Sequence, residues 1–351
     1  MFQTYRLSCR TLTPVHIGTG EVLEPFNYHM QNNTLFVFNL SQFISSAEPK
    51  LRGEFLKIID GNDIVGLRQF IRKHIDLEKY SLFRIKVTPE IAREYEVKKD
   101  DIRNQLLINP FIRNETTGMC YIPGSSIKGA IRTGVLNYVL RQKDREKIKR
   151  EIKKEKPKWA AQKAEKLILN YKNPTDDPFR AVKISDAILS ENATFVGEVF
   201  NYNPSRKRFN SIDMRVEMTE GEICNKSIDF NTEISILRES EISIEMIKNA
   251  CNQFYKDIAQ YEHRKFYKHH PDLQEVSIRL LNIIETLPEN VFIIRIGRFS
   301  HAESMTIEGL RRISVMGKGR KFYRQEEGTT RNLALQKYPM GWMKVEMENS
   351  G

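Results

Sequence analysis

"IPGSSIKGAIRTG", residues Ile122 to Gly134, is the stretch on which the reading of this chain turns. A Pro-Gly step and two serines lead into Ile127, Ile131, Val135, Tyr138 and Val139, apolar positions at helical spacing. The stripe predicts a helix whose first turns carry Ser125, Ser126, Lys128 and Arg132 among three glycines. One reading is a capped helix start, with glycine for tight packing. The other is an anion site, because a helix N-terminus exposes unpaired N–H groups and a positive partial charge. A P-loop is excluded: Gly124 to Gly129 has the spacing, but Ala130 stands where that motif requires lysine.

Upstream, Tyr5, Leu7 and Cys9 alternate as in a strand and lead to "TPVHIGTGE". "NTLFVFNLSQFI" reads as a strand and then a helix, residues 50–80 as short helices, and "PFIRNETTGMCYIPG" as a hairpin with a glycine turn. Downstream, residues 141–166 hold twelve Lys/Arg against five Asp/Glu, seven of the chain's net +11 charges. Such a run reads first as a solvated helical face, so this insertion, near 141–172, is expected to project and to be dispensable for folding. Strands follow in "AVKISDAIL" and "ATFVGEVFNY", then an antiparallel pair around the turn "TEGE". A helix is predicted from Ser243 to about Lys268 and a second one after Asp272 as N-cap. The ending runs through "VFIIRIGRFSHAES" and "MGKGRK" to a strand, "GWMKVEME". The class is α+β, with residues 1–237 as one unit and 238–351 as a C-terminal half with helices and a glycine-rich loop.

A basic excess of 56 over 45 favours a polyanionic partner, nucleic acid first and an anionic membrane surface second. The four cysteines are far apart, which excludes a zinc ribbon or a disulfide framework. No apolar run approaches the roughly 18 residues of a membrane span, so a cytoplasmic protein is expected.

Two further glycine sites stand out. "HIGTG" offers His16, Gly18 and Gly20, although a hairpin turn explains it as well. "RIGRFSHAES" with "MGKGRKF" sets Arg295, Arg298, Lys318 and Arg320 among Gly317 and Gly319, with Phe299, Phe322 and Tyr323 beside them. Cations for phosphates, glycines for close approach and aromatics for stacking suit single-stranded RNA, and a solvated basic loop is the alternative. Asp176 and Asp177 sit in a Pro-bounded turn rather than a metal-ligand pattern, and His263, His269 and His270 are expected at a helix end.

In "TPVHIGTGE", "YIPGSSIKGAIRTGVL", "DPFRAVKISDA", "RIGRFSHAES" with "GKGR", and "YPMGW", the chain resembles the RAMP superfamily of CRISPR systems. The set is most like the end-capping fifth subunits of type III-A (Csm) effector complexes. That resemblance implies an RNA-recognition-motif-like (ferredoxin-like) fold with helical insertions and a glycine-rich loop. It also implies a place beside the backbone and small subunits around the 3′ portion of a CRISPR RNA and a part in maturing its 3′ end. Since no nuclease arrangement is visible in the sequence, the trimming itself is expected of a host exonuclease. Carried over, RNA contact falls to His16, Gly18, Gly20, Ser125, Ser126, Lys128, Arg132, Gly317, Lys318, Gly319 and Arg320. Arg295 and Arg298 join them on the reading of the basic loop, and no cofactor or metal is expected. The family's loop is often a longer glycine run than "MGKGRKF". The rival function is a metal-independent endoribonuclease. It would need a histidine general base, and His16 and His301 are the histidines in motif-like loops.

Overall fold

Strand β1 (Phe2–Thr11) buries Leu7, Cys9 and Thr11 and leaves the alternate side chains outward, as its period-two pattern requires. The computed structural model, which describes residues 1–156, 158–316 and 322–348, sets β1 at the centre of a five-stranded sheet. The other strands are β2 (Val182–Ile184), β3 (Asp229–Leu237), β4 (Val291–Arg295) and β5 (Trp342–Glu348), in the order β4-β5-β1-β3-β2. Every neighbouring pair is antiparallel. Residues before and after 237 therefore share one sheet.

Helices α1 (Gly124–Leu140) and α4 (Ile244–Glu262) close the apolar face of this sheet. Ile127, Ile131 and Val135 of α1 join Ile247, Cys251 and Phe254 of α4 and Leu7, Ile234, Phe292 and Val345 of the strands in one core. Gly134 lets the two helices touch, since a Cβ there would lie 3.2 Å from Cys251 Sγ. The other sheet face is a ladder of polar pairs, among them Arg10–Asp229 at 2.6 Å and Lys344–Glu222 at 2.8 Å.

A second sheet is built on Thr194–Asn203 and Arg208–Thr219, an antiparallel pair. It extends through Ser81–Val87, parallel to the first of these, to Thr34–Phe38 and Tyr28–Gln31. Short helices between residues 40 and 80 form a lobe around Phe43, Phe70, Ile71 and Tyr80.

Two expectations fail here. The basic segment does not simply project: α2 (Arg145–Lys153) and α3 (Ala160–Ile168) bury Ile148, Ile152, Ala164 and Ile168 in the main core. Each helix carries a pair of apolar residues at i, i+4, enough for one packed stripe beneath a charged exterior. Asp272 is not a cap either. Helix α5 (Pro271–Glu285) begins at Pro271 behind His270, and Asp272 lies in its first turn, where a carboxylate suits the helix dipole. Ser243 does cap α4, accepting from Met246 N–H at 3.1 Å, but the α-helix stops at Glu262 and passes through one π-turn, His263–Tyr267. Among the described residues no helix is long and apolar enough to cross a membrane.

Candidate nucleic-acid interface

The helix mouth that opened the sequence reading is held mainly by the chain itself. The N–H of Gly124 donates to the Asp186 carboxylate at 2.7 Å, so a carboxylate of "KISDA" already sits on the N-terminus of α1. Glycine is required there, because a Cβ at 124 would fall 2.2 Å from the carbonyl oxygen of Ile184. One turn on, Lys128 Nζ donates to the Val182 carbonyl at 2.6 Å. Arg132 ion-pairs with Glu165 at 2.6 Å and Asp177 at 2.9 Å and lies over the Phe179 ring. Burial alone would lower the guanidinium pKa, but Asp177 and Glu165 more than offset it and raise it. "GSSIKGAIR" and "DPFRAVKISDA" are thus two halves of one packed joint, and the cations of the first are spent on the second. Asp177, read as a turn residue, caps Phe179 N–H at 2.9 Å as well.

What remains open at the mouth is Ser125, half-buried Ser126, and Gly129, whose missing Cβ would meet nothing within 4 Å. These residues form one wall of an open cleft of about 700 Å³. The opposite walls are the loop Ile17–Gly20 and the turn Ile296–Ser300. Three sequence stretches read separately therefore meet at one place.

Backbone contacts make the meeting rigid. Arg298 N–H donates to the His16 carbonyl at 3.0 Å, and Gly297, at φ +89°, leaves no room for a Cβ beside that oxygen. Ile112 N–H donates to Ile17 O at 2.7 Å. His16 is 1% exposed, with Nδ1 2.7 Å from the Glu217 carbonyl and its ring against Phe111 and Phe299. Burial first, and then the neighbouring Arg298, push its pKa down to about 4. Its Nε2 has no partner and lies directly under Gly18. The Glu217 side chain, fully buried, joins Arg113, Thr194 Oγ1 at 2.6 Å and Phe111 N–H at 2.8 Å, and so braces the floor.

The predicted cations divide sharply. Arg298 is exposed at the rim, donating to Asn109 Oδ1 at 2.9 Å. Arg295 lines the cleft but is 1% exposed and ion-pairs with Glu262 at 2.9 Å. Glu262 also takes Arg331 Nε at 2.6 Å, and Arg331 reaches Glu303 at 3.0 Å. Burial raises the Glu262 pKa, but Arg295 and Arg331 more than offset this and lower it, which keeps the carboxylate charged. Lys128, Arg132 and Arg295 are therefore each tied to a partner within the chain, and among the described residues Arg298 is the predicted cation that is exposed at the cleft. Gly317, Lys318, Gly319 and Arg320 lie outside the described residues.

Sequence reasoning missed Asn109, Asp186, Glu217 and Glu262. Asp186 stood in a quoted motif but had no visible helix to cap, and Glu262 lay inside an ordinary helical pattern. For chemistry, His301 Nε2 accepts the Asn332 N–H at 3.3 Å, and burial with Arg331 and Arg295 holds its pKa well below the usual histidine value. The lowered proton affinity makes both motif histidines weak bases, and His16 is buried as well, a poor starting point for a general base that must reach a 2′-hydroxyl. Among the described residues no group of three or more His, Cys, Asp or Glu is placed to hold a metal ion.

A curled, mixed α/β body with a polar cleft at a helix mouth defines a class, and comparison gives it a family. The RAMP superfamily model matches residues 8–274, and the chain belongs to that superfamily. Two curated relatives are both named "CRISPR system Cms protein Csm5". The one from Methanocaldococcus jannaschii is 26% identical over 288 residues, covering 75% of this chain and 64% of that protein. The one from Streptococcus thermophilus is 25% identical over 213 residues, covering 56% of this chain and 54% of that protein. The chain thus spans less than two thirds of the length of either. In fold it is similar to a chain of a cryo-EM Csm–crRNA–target RNA ternary complex of a type III-A CRISPR-Cas system (TM-score 0.67, 21% identity, 99% of this chain and 100% of that one). It is also similar to the crystal structure of T. onnurineus Csm5 (TM-score 0.62, 21% identity, 96% and 99%).

Proposed function

We propose that the chain is an RNA-binding, non-catalytic subunit of a type III-A (Csm) CRISPR effector complex. In this reading it caps the assembly at the 3′ portion of the CRISPR RNA, beside backbone and small subunits. It supports maturation of the RNA's 3′ end, with a recruited host exonuclease doing the trimming. The observation that carries the proposal is the convergence of "HIGTG", "GSSIKG" and "RIGRFS" on one cleft in a RAMP chain whose curated relatives are named Csm5. The antiparallel order β5-β1-β3-β2, with helices crossing one face, supports the ferredoxin-like part of the reading. The other face carries ion pairs such as Arg10–Asp229 and Lys344–Glu222, which already occupy its charges, so the cleft is the better RNA surface.

Gly18, Gly20, Ser125, Ser126 and Gly129 would allow close approach of the sugar–phosphate backbone, and Arg298 would supply charge. Arg298→Ala should lower the salt slope for single-stranded RNA by about 0.7, one phosphate contact, at every sequence tested. An unchanged slope with intact circular dichroism would remove Arg298 from the interface. Purified protein should leave labelled RNA intact. Cleavage that disappears in His16→Ala or His301→Ala, with binding retained, would replace this reading by the ribonuclease one.

A further inference from the structure

The basic insertion packs on the core, yet the outer face of α3 is left uncovered. Because α3 turns Ala164 and Ile168 inward, helical geometry sends Lys163 and Lys166 to the other side. Asn170, at φ +54°, reverses the chain, and Tyr171 N–H returns to the Lys166 carbonyl at 3.1 Å. Tyr171 and Lys172 then face Trp159 across a cleft of about 700 Å³ that shares no lining residue with the one at the helix mouth.

Trp159 is the unusual member. It is 49% exposed although burial of so large a ring would stabilise the fold, and Lys158 Nζ lies 4.8 Å from its ring centre. Lys163 is 3.7 Å from Glu155 at the rim, while Lys166 and Lys172 form no salt bridge among the described residues. An exposed indole beside uncommitted lysines is what a sequence-tolerant single-strand site requires. Every base has a face to stack, and the cations follow the phosphates.

We propose that this cleft is a second contact for single-stranded RNA, in which Trp159 stacks on a base while Lys166 and Lys172 hold the flanking phosphates. The net positive charge of residues 141–166 then raises the local concentration of the strand. An acidic peptide could use the lysines, but it offers nothing to the indole.

The chain has two tryptophans, and Trp342 is fully buried against Arg295, so an emission change that the parent shows and Trp159→Tyr lacks reports Trp159. Titrating the full-length protein with an oligouridylate about ten nucleotides long should quench that emission, in the parent and in Arg298→Ala alike. Lys166→Ala with Lys172→Ala should lower the salt slope of the quenching by about 1.4, two phosphate contacts. Trp159→Ala should weaken binding of a labelled strand roughly 5- to 150-fold in the Arg298→Ala background, and Trp159→Tyr should restore most of it. Binding by anisotropy with no change in emission overturns the proposal and leaves the first cleft standing. Quenching that disappears in Arg298→Ala overturns it as well, because the strand would then be held at the first cleft. Equal quenching by polyglutamate overturns it in favour of an acidic protein partner.

Discussion

The mouth of α1 and the outer face of α3 carry the same kinds of residue and put them to opposite uses. At the helix mouth every cation sits in a recognisable motif and is bonded within the chain: Lys128 to a carbonyl, Arg132 to Asp177 and Glu165. On α3 and in the turn after it the lysines belong to no motif, and Lys166 and Lys172 form no salt bridge among the described residues. Fixed spacing there reflects a packing joint, which tolerates few residue types, whereas a surface that works by net charge needs no fixed spacing. A patterned cation is therefore weaker evidence of ligand contact than its pattern suggests.

The harshest way to test that division is to remove the carboxylate under the cleft. Glu262→Ala leaves Arg295 and Arg331 buried without their shared counter-ion, and stability measured by urea denaturation should fall by about 3–5 kcal/mol. A loss below about 1 kcal/mol, the scale of an exposed pair, would mean that these arginines are far more hydrated than their burial implies.

A second difference between the regions appears with pH. His16 lies beneath the cleft, whereas residues 141–172 contain no histidine. Its folded pKa, about 4, is below the unfolded value of about 6.5, so the unfolded chain takes up the proton first. This contribution is fully present above about pH 6.5 and is lost as pH falls toward 4, to a total of up to about 3 kcal/mol. Subtracting the denaturation profile of His16→Gln from that of the parent should isolate the step. Identical profiles would place the His16 proton affinity near its ordinary value.

The gentlest comparison sets one arginine against three lysines. Arg132→Met should cost about 1–3 kcal/mol, because Asp177 and Glu165 lose a partly buried partner, and should leave the salt slope of RNA binding unchanged. Lys163→Ala, Lys166→Ala and Lys172→Ala combined should move stability by no more than about 0.5 kcal/mol per site while lowering that slope. Thermal melts and salt titrations on both variants would show whether the two roles separate.

Local signals carried the reading of α1 and of the start of α4, where Ile127, Ile131, Val135 and the capping Ser243 act within a few residues of each other. They also held the answer for α2 and α3, where Ile148–Ile152 and Ala164–Ile168 mark packed stripes, but the charge count hid it. What no local pattern could carry is pairing at a distance. Nothing about Lys128 announces a carbonyl 54 residues away, and nothing about Glu262 announces an arginine 69 residues on. The cleft was legible as three separate glycine stretches, and its closure was not. It depends on Arg298 N–H finding the His16 carbonyl and on Gly297 giving it room, both consequences of the tertiary fold.

The position of β5 between β1 and β4 has a consequence for how the molecule is made. Arg6 pairs with Glu348 and Thr11 with Met343, so one side of β1 has no neighbour until residues 342–348 have emerged from the ribosome. Until then β1 can pair with β3, while its other edge offers a row of free amides and carbonyls to any passing strand. This sheet therefore cannot close before residues 342–348 are available, and a chain stalled before Trp342 would present an adhesive edge.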